Sequence, residues 1–269
     1  MPTGTVLVSG LGLMGGSLAA AATAAGWRVL LHHRRPEPVA EAARRGWGEP
    51  CADPATAVAD LAVVCTPVEH LAAGVRALGP GVPVVTDVGS VKGPLCRELA
   101  DRPGFVGSHP MCGSHLQGIS HADVQLYRGA VCIVTPLADS PAVAVVEGLW
   151  RSLGCRLVRL DPEAHDRAVA AASHLPHVLA NAAARRLTPA AAPLCAGGFR
   201  DVTRIAGGGI ELWAGILLAN RVEVAAEARA AAGELRELAA ALEAGDAMAV
   251  QAWLAAGRAG RARYEAARG

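Results

Sequence analysis

The sequence predicts a doubly wound, parallel α/β sheet domain over residues 1–161 and an all-helical domain over residues 162–269. Three observations carry this prediction. A Gly-rich turn between a strand and a helix opens the chain. Continuous apolar runs then alternate with helical segments as far as Asp161. Beyond Pro162 no further convincing strand is present.

The opening stretch is Thr5 to Ala24. Val6-Leu7-Val8 is long enough for one buried strand, and an Ala-rich segment after it favours helix. Between them Gly10-Leu11-Gly12-Leu13-Met14-Gly15 spells G-x-G-x-x-G. Gly10 permits a tight turn, Gly12 lets a pyrophosphate approach the backbone, and Gly15 lets helix and strand pack closely. The N–H groups at the helix start, with Leu13 and Met14 in its first turn, are candidates to hold the phosphates. An ordinary Gly-rich turn is the alternative.

Arg28 to His32 is the second strand. An acidic residue at its end would bond the ribose 2′-hydroxyl of NAD. Here His33, Arg34 and Arg35 follow, with no carboxylate until Glu37. Two guanidiniums can pair with a 2′-phosphate, each charge-assisted hydrogen bond contributing about 1.5–3 kcal/mol. The expected cofactor is therefore NADP or NAD, with NADP favoured; the alternative is that both arginines are solvated loop charges.

Pro38 to Arg45 reads as a short helix closed by Gly46. Asp60 to Pro67 is a buried strand without alternation, as in a parallel sheet covered on both faces. Thr66 and Pro67 at its end are candidate cofactor residues. Val68 to Leu78 is a helix and Val82 to Val88 another continuous strand. Ser90 and Lys92 follow it, where ligands gather beyond the carboxyl ends of such strands. Ser90 is either a nicotinamide- and substrate-facing residue or the N-cap of a helix starting near Pro94. Phe105 to Pro110 is a further strand that puts His109 at its carboxyl end. A histidine there can accept a proton near neutral pH. Ala130 to Pro136, a helix from about Pro141 to Leu153, and Cys155 to Asp161 complete the first domain.

Asp161-Pro162 is a helix start, an acidic N-cap with proline at the first helical position. Glu163 to Leu187 reads as one long helix carrying His165, Asp166, Ser173, His174 and His177, with a kink at Pro176. His174 and His177 share a face, but no third ligand stands at suitable spacing, so no metal is expected. Phe199 to Arg204 lies past a Gly197-Gly198 break, and a helix around Leu212 to Glu227 follows. The rest is Ala-rich helix. Leu235, Leu238 and Leu242 form an apolar stripe suited to a core or a dimer interface.

Composition narrows the classes. A net charge of +1 gives no reason to expect a nucleic-acid or membrane surface. Hydrophobic content of 52% with only 3% aromatics favours Ala-rich helices over an all-β fold. Seven scattered cysteines without a CxxC read as reduced thiols. No apolar run reaches membrane-span length, and a strand begins at once, so a cytoplasmic location is expected.

Four motifs in order resemble the prephenate/arogenate dehydrogenase family of tyrosine biosynthesis. They are GLGLMGGSL at Gly10–Leu18, DVGSVK at Asp87–Lys92, GSHPMCG at Gly107–Gly113, and SHLPH at Ser173–His177 with FRDVTRIA at Phe199–Ala206. Trp213 and Asn220 also fit. The resemblance implies a Rossmann-type domain, a helical dimerisation domain forming a homodimer, and an active site between the domains. It implies NAD(P)-dependent oxidative decarboxylation of prephenate, with arogenate or 4-amino-4-deoxyprephenate as alternative substrates. His109 matches the family's base, Ser90 orients the reacting group, and Arg204 holds a substrate carboxylate, with Asp201 positioning Arg204 or the neighbouring helix. His174 and Trp213 line the pocket. The sequence departs from the family at three places: His115 stands where Glu is frequent, Gly215 where Asp is common, and His33 where the cofactor strand usually carries Asp. His115 is a structural filler or reads the substrate's tail or ring substituent. Two other readings are a β-hydroxyacid dehydrogenase or imine reductase, and an NADP-sensing regulator without turnover.

Overall fold

The computed structural model describes residues 4–113 and 116–267. Strands β1 (Thr5–Ser9), β2 (Arg28–His32), β3 (Glu49–Pro50), β4 (Leu61–Val64) and β5 (Val84–Asp87) form one parallel sheet in the order β3-β2-β1-β4-β5. The order reverses between β1 and β4, which opens a crevice at their carboxyl ends. The continuous apolar runs are explained by burial on both faces. Val6 and Val8 share a core layer with α1 (Leu13–Ala24), α2 (Pro36–Arg44) and α5 (Pro141–Ser152). Leu7 and Val64 face α3 (Leu71–Arg76) and α4 (Gly93–Glu98). Fully buried Leu7, Leu18, Leu31 and Leu61 each contribute about 1.5–3 kcal/mol.

The remaining strands do not extend this sheet in parallel. β6 (Gly107–Pro110), β7 (Val131–Thr135) and β8 (Arg156–Arg159) form a second sheet in which β6 runs antiparallel to β7. A parallel pair needs a crossover, and among the described residues between β6 and β7 the one helical element is a 3-10 turn at Ile119–His121. The β7–β8 connection contains α5, and that pair is parallel. Among the described residues one isolated parallel bridge, Val85 to Phe105, joins β5 to the segment that leads into β6. It sends the chain into β6 in the direction of β5, so His109 arrives on the carboxyl-end side.

Helix α6 (Pro162–Val169) starts where the sequence predicts, with the Asp161 carboxylate accepting from Ala164 N at 2.7 Å. It continues without interruption through a π-helical turn, Ala170–His174, into α7 (Leu175–Arg185). Pro176 has no N–H to give the preceding turn, and the wider turn takes up that defect. Then come α8 (Gly197–Thr203), a 3-10 turn at Arg204–Gly207, and α9 (Ile210–Ala219). The helix expected over 212–227 is thus broken at Asn220. Its side chain serves Asp166 O and His174 instead of solvent.

The chain divides into two compact units, with the cut between Arg221 and Val222. The second consists of most of α10 (Arg221–Glu243) and all of α11 (Ala247–Ala266). Gly245 at φ +66° turns the chain between them, and Asp246 caps α11 by accepting from Ala249 N at 2.9 Å. Among the described residues no single helix is long and apolar enough to cross a membrane.

Candidate active site

The glycine turn forms a cradle. Gly10 sits at φ +101°, with carbonyl atoms of Cys65 2.9 Å from where a Cβ would be. A Cβ on Gly15 would overlap the carbonyl oxygen of Gly10. Gly12, by contrast, has nothing within 4 Å of a Cβ position and stands at the N-cap of α1 without a side-chain cap. Free N–H groups and open space at a helix start fit a pyrophosphate. Leu13 and Met14 lie in that first turn, and Met14 O accepts from the Tyr127 hydroxyl at 2.8 Å, anchoring it. Across the crevice Thr66 and Pro67 follow β4. Thr66 Oγ1 is buried with no partner among the described residues.

At the end of β2 the His33 ring turns back on its own loop, Nδ1 accepting from Arg35 N at 3.0 Å. Burial lowers its pKa. The Arg34 and Arg35 side chains are exposed and reach no partner among the described residues.

The loop after β5 is fixed from beneath. Lys92 is fully buried, paired with Asp87 and donating to Ser108 O at 2.9 Å. It therefore braces β5 against β6 and does not face substrate, contrary to the sequence expectation. Asp87 also accepts from Gly89 N at 2.8 Å and Ser108 N at 3.1 Å. Ser90 is not the cap of α4. The N–H groups of Lys92 and Gly93 go to Asp166 of α6, both at 2.8 Å. Ser90 stays half-buried, its hydroxyl unpartnered among the described residues.

His109 is buried on β6, with Nδ1 2.9 Å from His165 Nε2. His165 Nδ1 lies 2.7 Å from Asp166 Oδ1. Burial, reinforced by His165, Lys92 and His174, pushes the His109 pKa well below the usual imidazole range. Burial raises the Asp166 carboxyl, but its hydrogen bonds from His165, Lys92 and Gly93 outweigh that and hold it low. Asn220 Nδ2 donates to Asp166 O at 2.9 Å and to His174 Nδ1 at 3.2 Å. Burial brings His174 down to about 4. The Trp213 ring stands edge-on to His174, with centroids 6.3 Å apart, and stacks on His177 at 3.5 Å. His109, His174 and Trp213 thus belong to one connected cluster, joined by three residues to which sequence reasoning gave no role: His165, Asp166 and Asn220.

Other expectations are placed differently. Asp201 pairs with its neighbour Arg200 at 3.2 Å, both exposed, and not with Arg204. The adjacent guanidinium reaches it first. Arg204 opens the 3-10 turn after α8, exposed and without a hydrogen bond among the described residues. His115 lies outside the described residues. No Asp stands at 215, but Glu69 Oε2 lies 3.3 Å from where a Gly215 Cβ would be.

The fold and the cradle define a dinucleotide-binding α/β protein with a helical continuation. Comparison with known proteins narrows this class. Residues 18–159 match the prephenate dehydrogenase nucleotide-binding domain, and residues 161–256 the prephenate dehydrogenase dimerization domain. A prephenate dehydrogenase of Bacillus subtilis is 33% identical over 241 residues, covering 82% of this chain and 65% of its own length. Among solved structures, an Aquifex aeolicus prephenate dehydrogenase in complex with hydroxyphenyl propionate and NAD+ superposes with a TM-score of 0.88. It is 27% identical, and the match covers 98% of this chain and 99% of that one. A Synechocystis arogenate dehydrogenase gives 0.83 at 27% identity, with 97% and 99% covered. The chain belongs to the prephenate dehydrogenase family. It spans just under two thirds of the length of the Bacillus relative.

Proposed function

We propose that the protein converts prephenate to 4-hydroxyphenylpyruvate by NAD(P)-dependent oxidative decarboxylation. The observation that carries this reading is a buried histidine, kept neutral, at the end of β6, connected to a second pocket histidine under an indole ring. A neutral imidazole sheltered from water is a competent base. His109 removes the proton from the ring C4 hydroxyl. A nicotinamide held by the cradle would supply the acceptor for the hydride of C4. The C1–carboxylate bond then breaks, CO2 leaves, and its electron pair completes the aromatic ring. Ser90, with a free hydroxyl, orients the C4 oxygen. Arg204 offers a planar fork for a substrate carboxylate. His174 and Trp213 form the wall that excludes water. The glycine cradle, with Thr66 and Pro67 opposite it, holds the dinucleotide.

Arg34 and Arg35, unpartnered among the described residues, with no carboxylate at His33, support NADP over NAD. Leu235, Leu242, Met248 and Leu254 are all more than half exposed in the single chain. They support a homodimer through the helical part, since such apolar faces are costly in water. All seven cysteines are free, in keeping with a reducing cytoplasm.

Reduction of NADP and of NAD, followed at the nicotinamide absorbance with prephenate, arogenate and 4-amino-4-deoxyprephenate in parallel, tests the reading. Prephenate turnover with a higher kcat/KM for NADP is expected. Turnover of arogenate or the 4-amino compound alone would move the substrate assignment. Tight NADPH binding without any turnover would replace it with a sensor.

A further inference from the structure

His109 does not act from an isolated position. Its Nδ1 meets His165 Nε2, and His165 Nδ1 meets Asp166 Oδ1. Two other donors reach the same carboxylate, the N–H groups of Lys92 and Gly93, and neither can do anything but donate. An ionised carboxylate has only lone pairs to offer, so His165 Nδ1 is the donor toward Asp166. With its ring proton on Nδ1 directed at Asp166, His165 presents a lone pair at Nε2. The 2.9 Å contact with His109 is filled by the proton on His109 Nδ1, which leaves Nε2 of His109 with the free lone pair.

We propose that His165 and Asp166 are positioning residues: a buried His–Asp relay that fixes His109 as the Nδ1–H tautomer, with Nε2 free to take the substrate proton. This rests on the reading of His109 as the base. The relay has a second effect at the moment of proton transfer. The imidazolium that forms on His109 is faced by His165 from α6, by Lys92 from the loop before α4 and by His174 from the π turn. Asp87 is taken up by Lys92, and the Asp166 anion, reached through His165, offsets the new charge. The same carboxylate grips the loop that carries Ser90, and its backbone carbonyl holds Asn220, which holds His174. One residue on α6, through its carboxylate and its backbone carbonyl, thus keeps base, hydroxyl and pocket wall in a single register. The sequence marks it only as a His-Asp pair three residues past a proline-led helix start.

The first test uses the unaltered protein. Histidine is labelled with 15N, and the ring-nitrogen shifts of each histidine are read by long-range proton–nitrogen correlation, with His109→Gln and His165→Gln supplying the assignments. Nδ1–H tautomers are expected at both His109 and His165; an Nε2–H tautomer at His109 overturns the relay. The second test is kinetic. His165→Leu should lower kcat by about 10²–10³-fold with KM within about twofold. His165→Gln, which restores an acceptor near the lost Nε2, should recover about tenfold of that loss. A folded His165→Leu protein with kcat within about threefold of wild type overturns the proposal. Should that variant fail to fold, the tautomer measurement decides alone. Failure of the unaltered protein to turn over any cyclohexadienyl acid would remove the catalytic reading while leaving the tautomer result standing.

Discussion

An exposed arginine without a partner binds a carboxylate at little cost, because no existing ion pair has to break. Arg204, exposed and unpartnered among the described residues, is such a residue, and in the role proposed for it the attraction to a non-reacting substrate carboxylate would be the same in the ground state and the transition state. As the proposed base His109 differs, because its interaction with the substrate hydroxyl would grow as the proton moves. Arg204→Ala should therefore raise KM for prephenate about 10–100-fold, the equivalent of one or two charge-assisted bonds, and change kcat little. His109→Ala should lower kcat by about 10²–10⁴-fold at nearly constant KM. Steady-state kinetics of the two variants separate these roles; equal losses of both parameters in both would abolish the distinction.

At the level of single elements, the β1–α1 turn makes two different demands on its glycines. Gly15 lets α1 lie against Gly10, so Gly15→Ala has to push helix from strand and should cost about 1–3 kcal/mol of stability together with dinucleotide affinity. A Cβ on Gly12 meets nothing, so Gly12→Ala should leave the thermal midpoint unchanged. It should still weaken NADPH binding about tenfold or more, because the methyl group occupies the space of the pyrophosphate. Thermal melts beside a fluorescence titration with NADPH distinguish the two; a Gly12→Ala protein that binds normally would show that phosphate does not approach there. This turn was legible because its glycines are local and the strand beside it is buried on both faces. β3 was not legible, since Glu49 and Pro50 are exposed, form a strand of two residues and owe it to pairing with β2. The antiparallel sense of β6 was hidden because the connection 111–130 carries no periodicity to exclude a crossover. The break at Asn220 depends on partners 46 and 54 residues away. For the same reason His109 could be singled out from its place on a strand, whereas His165 and Asp166 looked like ordinary helical polar residues. Their meaning lies in contacts to β6 and to the start of α4. The absent acid at position 215 could be read as a gap in sequence, yet Glu69 from another element brings a carboxylate to its vicinity.

At the scale of the whole molecule, burying several imidazoles in one cluster makes folding depend on pH. His109, His174 and His177 all have pKa values lowered in the folded protein, in each case first by burial. An unfolded chain returns them to about 6.5. Below that pH the unfolded state binds protons that the folded state refuses, so stability is full above about pH 6.5 and falls as the pH drops through it. For His174 the loss continues until the pH reaches its folded value of about 4. By pH 5 this one residue should have cost about 2 kcal/mol, equivalent to a fall in Tm of about 4–8 °C for a chain of this size. His109 and His177 add losses of the same sign. Carboxylates such as Asp166, held low by their hydrogen bonds, act in the opposite way only at more acid pH: they stabilise above the ordinary carboxyl pKa and are lost below it. The window from pH 6.5 to 5 therefore isolates the histidines. Thermal melts in buffers of matched ionic strength should show a level midpoint from pH 8 to 7 and a steady decline from about 6.5 to 5. The decline should be shallower in His174→Gln, whose amide stays neutral throughout. A midpoint that stays flat to pH 5 would mean that the imidazoles open to water before the fold is lost, and that the cluster is not the dry base site on which the proposed chemistry depends.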